Sequence, residues 1–229
     1  MDLRESGFRR IKMKKLFTSI RKDDRDTIKR LLDKSPELIN CVSKGAPKKD
    51  DGQSPLQVAL KAASYETVLL LLEYNPDVNF MEDETCINDW RTPLLHDAII
   101  RAIACSRYNA KQWDGQYEVY NSKEKADNAF DILRRLIEMG ADVNGKDSYG
   151  NACLDRACLS ARQILPTNHS DHRVMTDEIF FDISRIFDIL IDNGADMTYS
   201  SPINVEMGKT GGVAVEFADE PVGLFLKKG

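Results

Sequence analysis

"EMGADVNGKD" (residues 138–147) is the stretch whose reading decides the fold. Gly140 stands where an apolar helical segment has to stop, and a small residue, an acid, a β-branched residue and Asn follow it. Glycine serves a helix end because the closing residue adopts a left-handed backbone that lacks a Cβ clash only for glycine. Nearly the same phrase occurs twice more, as "YNPDVNFMED" (74–83) and "DNGADMTYSS" (192–201), with Asn75 and Gly194 in the closing position. A helix stop that returns after each apolar segment is the mark of a structural repeat.

A second landmark precedes each copy: "SPLQVAL" (54–60), "TPLLHDAI" (92–99) and "NACLDRAC" (151–158). Leu56, Leu95 and Leu154 align, each followed three residues later by Ala59, Ala98 and Ala157. Residues 15–40 supply an earlier unit, with Leu16 in the leucine slot and Ser19 in the alanine slot. Each unit reads as two helices. In the first, a small residue admits a close neighbour. The second carries apolar residues at helical spacing, as in Val68, Leu71 and Leu72, or Phe130, Leu133, Leu136 and Ile137, or Ile179, Ile183, Ile186, Phe187 and Leu190. Asn121 with Glu124 has capping-box spacing, and Thr176 precedes Asp177 and Glu178 as a helix start.

Helix, turn, helix, "GADVN", hairpin and "RTPLLHDA" together resemble the ankyrin-repeat family over about residues 14–200. The resemblance implies an all-α fold: a solenoid of about four helix-turn-helix units with hairpin fingers, the units running roughly over 14–51, 52–88, 89–147 and 148–200. It also implies that His96 is structural and ties its own turn by hydrogen bonds. Gln57 and Asp155 depart from the family's His, and "TPL" becomes "ACL" in the last unit.

The intervals between the landmark leucines are 40, 39 and 59 residues, longer than the period of about 33 that the family implies. In the first two units the excess lies in the hairpins, "CVSKGAPKKDDGQSP" (41–55) and "FMEDETCINDWRTP" (80–93). In the last two it lies between the helices, near 106–124 and 162–178. The earlier insertion carries Tyr108, Trp113, Tyr117 and Tyr120, which either broaden the core or meet a partner. The tail, 201–229, lacks the repeat signature, and the alternation of Val213, Val215 and Phe217 reads as short strands in an irregular, partly β C-terminal cap.

Composition narrows the classes. Hydrophobic content of 42% and charged content of 30% describe a folding chain rather than a disordered one. The longest aliphatic run, Val68 to Leu72, is too short to cross a bilayer, so no membrane is expected. Five cysteines without paired spacing read as reduced thiols in a cytoplasmic setting. Net charge is −5 overall, but residues 1–34 are at +6. The run "RRIKMKK" (9–15) reads as the end of a solvated basic extension (1–13) leading into the first helix, and the acidic remainder argues against nucleic acid. "GKTGG" (208–212) lacks the upstream glycine and following helix of a phosphate loop, and "HSDHR" (169–173) has no cysteine companions for a zinc site. No cofactor, metal or catalytic set is expected.

The expected function is a non-catalytic protein-binding module, monomeric on its own, that meets a partner protein on its concave hairpin and first-helix surface. The candidate anchors are Trp90, Arg91, Tyr149 and Arg156 on the hairpin side and Trp113 and Tyr117 in the insertion. The alternative is an enzyme or ligand-binding regulator with a site built from the insertions and the tail.

Overall fold

The computed structural model describes residues 3–44, 47–166 and 172–227. The chain divides into two compact units, Met1–Asp97 and Ala98–Gly229.

In the first unit, α1 (Leu3–Arg21) packs on α2 (Arg25–Lys34) and on α3 (Pro55–Ala62), and α3 packs on α4 (Tyr65–Leu72). Each short helix begins where a side chain satisfies an otherwise orphaned N–H. Asp24 accepts from the Thr27 N–H (3.0 Å), and Ser64 from that of Thr67 (3.2 Å). Ser54 and Gln57 form a reciprocal box, each side chain capping the other's backbone at 3.2 Å. Leu16, Ile20, Ile28, Leu32, Leu56 and Leu71 are fully buried, each contributing about 1.5–3 kcal/mol by leaving water. A left-handed Asp23 reaches across from the first turn and accepts the Ser64 N–H at 3.0 Å, tying the two helix pairs together at their turns.

α5 (Leu94–Ala104) begins in the first unit and continues into the second. There it is followed by β1 (Tyr108–Lys111), β2 (Tyr117–Tyr120), α6 (Lys123–Glu138), α7 (Cys153–Ala161), β3 (Arg173–Val174) and α8 (Asp177–Asp192). The helix stops fall where the repeated phrase places them. Gly140 and Gly194 are left-handed, and the next residue's N–H reaches back to close the helix: Ala141 to the Leu136 carbonyl and Ala195 to that of Leu190, both 3.0 Å. Asn75 is left-handed too, with its N–H on the Leu72 carbonyl at 3.2 Å. The acid of each phrase then folds the turn onto itself: the N–H two residues on donates to Asp77 (3.0 Å), Asp142 (2.9 Å) or Asp196 (2.8 Å). Neighbouring turns are linked as well. The Asn40 side chain accepts the Asp77 N–H, and the Asn144 side chain that of Asp196, each at 2.8 Å.

The all-α expectation is corrected. The two inter-helix insertions form a three-stranded antiparallel sheet in the order β2-β1-β3, so the fold is mixed α/β rather than an all-α ankyrin solenoid. Asp114-Gly115 turns β1 into β2. The Gly115 N–H bonds the Gln112 carbonyl at 3.0 Å, and the Gln112 N–H bonds the Gln116 carbonyl at 2.7 Å, as a left-handed glycine permits. In the long hairpin segments the ladder is minimal: Ser43 pairs with Gly52 and Gln53, and Met81 bridges Pro93.

The tail differs from expectation as well. Among its described residues it has no strand but holds α9 (Pro202–Glu206), α10 (Val213–Glu216) and a 3-10 turn at Pro221–Phe225. Val213 and Phe217 are both buried while Val215 between them is exposed, so the apolar spacing is one helical turn and not strand alternation. Phe225 packs against Phe187 of α8 with ring centroids 5.7 Å apart, and α10 packs on α7. Asn121, expected to cap α6, instead precedes the true cap, Ser122, which accepts the Lys125 N–H at 3.1 Å.

Candidate functional site

The β1–β2 hairpin stands on a rigid base. Asp182 of α8 is fully buried and is held by Arg107 through three contacts of 2.9 Å, two from the guanidinium and one from the backbone N–H. That fork raises the Arg107 pKa above its ordinary value, chiefly through the hydrogen bond to Asp182. Arg185 adds a contact to Asp182 at 3.1 Å, reaches Asp127 of α6 at 2.6 Å, and lies over the ring of Phe130. At the other root, the Asn121 amide donates to the carbonyls of Ala104 and Ser106, both at 2.9 Å. Both ends of the hairpin are thereby fixed to the helices.

The four aromatic residues of this insertion divide into two roles. Tyr108 and Tyr120 stack, with ring centroids 4.7 Å apart and planes 6° from parallel, and Gln112 donates to the Tyr120 hydroxyl at 3.2 Å. Trp113 at the tip is 98% exposed, Tyr117 is 55% exposed, and Val119 beside it is 62% exposed. Tyr117 and Val119 are two apart on one strand and so share a face. Val119 and the edge position of β2 were not singled out from the sequence. The signal was present in Asp114-Gly115 flanked by Tyr108, Ala110, Tyr117 and Val119, the pattern of a tight hairpin.

The other candidates lie elsewhere. Trp90 is 42% exposed, and the adjacent half-buried Arg91 approaches Glu84 at 3.7 Å. Tyr149 is 59% exposed on a turn organised by buried Asp147, whose carboxylate accepts the N–H groups of Tyr149 (3.0 Å) and Asn151 (2.9 Å). Arg156 bonds the same carboxylate at 2.8 Å and is largely buried, so its guanidinium serves the turn. The structure thus gathers Trp113 with Tyr117, and Tyr149 with Arg156.

The landmark slot holds structural chemistry. The Gln57 amide donates to the Thr92 carbonyl at 3.1 Å, and Asp155 caps its own helix by accepting the Ala152 N–H at 2.8 Å. Burial pushes the Asp155 carboxyl up to about 6 against the pull of that N–H, with nearby Glu216 and Asp147 adding to the rise. Burial pushes Asp97 up to about 7, opposed by Lys61 at 3.2 Å and reinforced by Glu82. Burial also raises the thiols of Cys41, to about 12, and of Cys153 and Cys158, which keeps them in the poorly nucleophilic thiol form.

"GKTGG" runs into α10, a four-residue helix, and holds no strand-loop-helix cradle. Residues 169–171 of "HSDHR" lie outside the described residues, and the His172 carbonyl accepts the Lys111 N–H at 2.6 Å. Among the described residues no helix is long and apolar enough to cross a membrane. Comparison with models of known protein families gives no match, and comparison with curated protein sequences gives none either.

Proposed function

We propose that the chain binds a partner protein, and that the β1–β2 hairpin is its principal contact. The observation that carries this reading is the pairing of Trp113 at 98% exposure with Tyr117 and Val119 on a hairpin anchored at both roots. Large apolar side chains held in water on a pre-organised element are what a protein interface uses for its energetic anchors. Preorganisation also removes much of the ordering cost of association. The recurring turns, which resemble those of the ankyrin-repeat family, support the same class of function. Trp90 in the long second hairpin segment and Tyr149 on the turn that Asp147 organises are secondary contacts.

Affinity capture from the native host's lysate tests the proposal, using the intact chain, a Trp113→Ala/Tyr117→Ala variant and a Trp90→Ala/Arg91→Ala variant. A stoichiometric protein retained by the intact chain should be depleted at least tenfold by the hairpin variant, and less by the other. Equal retention by all three forms would remove the hairpin from the interface.

A further inference from the structure

β2 is the edge of its sheet, and its direction of hydrogen bonding can be read from the ladder. Lys111 donates to the His172 carbonyl, so Lys111 and Asn109 turn their backbone groups toward β3, while Gln112 bonds Gln116 across the hairpin. Alternation then turns Ala110 and Tyr108 toward β2, where they face Glu118 and Tyr120. The N–H and C=O groups of Tyr117 and Val119 therefore point away from the sheet. A proline, a lysine or a bulge commonly protects such an edge, and "YEVY" (117–120) has no proline or lysine and pairs residue for residue with β1; what guards it is its four-residue length and the charge of Glu118.

We infer that this edge accepts an extended segment of the partner protein as a fourth, antiparallel strand, with an apolar-basic-apolar sequence in register with Tyr117, Glu118 and Val119. This rests on the protein-binding reading above and specifies its mode. Outward backbone groups on Tyr117 and Val119 form the close hydrogen-bonded pairs with the added strand. The residue between them, Glu118, then stands opposite a side chain in the non-hydrogen-bonded position, where cross-strand approach is closest. Glu118 is exposed and forms no ion pair with a lysine or arginine among the described residues, so a basic residue is the complementary choice at that position. Apolar residues on either side of it fall on the face of Tyr117 and Val119.

A second copy of this chain fits the edge poorly in this register. Antiparallel self-pairing through Tyr117 and Val119 centres on Glu118 and sets two carboxylates directly opposite each other. Centring on Val119 instead brings Tyr117 opposite Asn121, which is left-handed and outside the strand.

The test is fluorescence anisotropy of the full chain with two labelled synthetic pentapeptides, Thr-Val-Lys-Val-Thr and Thr-Val-Glu-Val-Thr, both acetylated and amidated. The lysine probe should bind at least tenfold more tightly than the glutamate probe, and Glu118→Lys should reverse the order. Val119→Pro removes an outward N–H at an edge position that tolerates proline, and should weaken the lysine probe at least tenfold with an unchanged far-ultraviolet spectrum. Should both probes bind Val119→Pro as they bind the parent, or should neither bind the parent at millimolar concentration, edge pairing is overturned. Sedimentation showing a dimer that Val119→Pro dissolves would also overturn it, in favour of a second copy. A captured native partner lost with Trp113→Ala but retained by Val119→Pro would leave the protein-binding reading standing while edge pairing fell.

Discussion

Asp182 is a buried carboxylate whose charge is met by Arg107 and Arg185. Removing one member of such a set strands the other's charge, which costs about 3–5 kcal/mol when the group is buried. Asp182→Ala is therefore expected to lower the thermal midpoint by roughly 10 °C at this chain length, and to loosen the hairpin root, as measured by circular dichroism and by hydrogen exchange at residues 107–121. A loss confined to a degree or two would mean that the fork contributes little. Asp97 and Asp155 act in the opposite sense to ordinary acids. Their folded pKa values lie near 7 and 6, against 3.8 for an unperturbed aspartate. Between pH 3.8 and about 7 the folded chain holds protons that the unfolded chain has released, so stability rises as pH falls through that window. Asp23, Asp83, Asp127 and Asp196 have lowered pKa values and reverse the trend only in more acidic solution. The thermal midpoint should rise by about 5 °C from pH 8 to pH 5.5, and Asp97→Asn should flatten that rise. A midpoint that falls steadily over the same range would contradict the assignment.

At the scale of elements, helix ends depend on particular backbone positions. Gly194 is left-handed with open space around it, whereas a Cβ at Gly212 would overlap the Met197 carbonyl oxygen. Gly194→Ala should cost about 1 kcal/mol, the left-handed penalty alone, while Gly212→Ala should cost several times that because the backbone ahead of α10 must also move. Urea titration of both variants measures the difference, and equal losses would contradict it. These examples also show what was readable in sequence. Gly140, Gly194 and Asn75 mark real helix stops because helix closure is a local requirement written in one or two residues. The hairpin of β1 and β2 has a local signal in Asp114-Gly115, whereas the third strand is not legible because it depends on pairing between Ala110 and Arg173, which lie 63 positions apart in the chain. In the tail, Val213, Val215 and Phe217 fit two periods at once, and packing against α7 selects the helical one. Trp113 and Tyr117 were visible as aromatic residues, but the division of labour from Tyr108 and Tyr120 follows from cross-strand register.

For the molecule as a whole, the insertions turn part of a helical framework into a presented hairpin, the contact proposed for a partner protein. The most direct measurement is photocrosslinking in the native host. A photoreactive phenylalanine analogue is placed in turn at positions 113, 117 and 149, and at position 66 as an exposed control on the first unit. The account predicts one shared adduct from 113 and 117, weaker or absent labelling from 149, and none from 66. Adducts from 149 or 66 without any from 113 and 117 would contradict it.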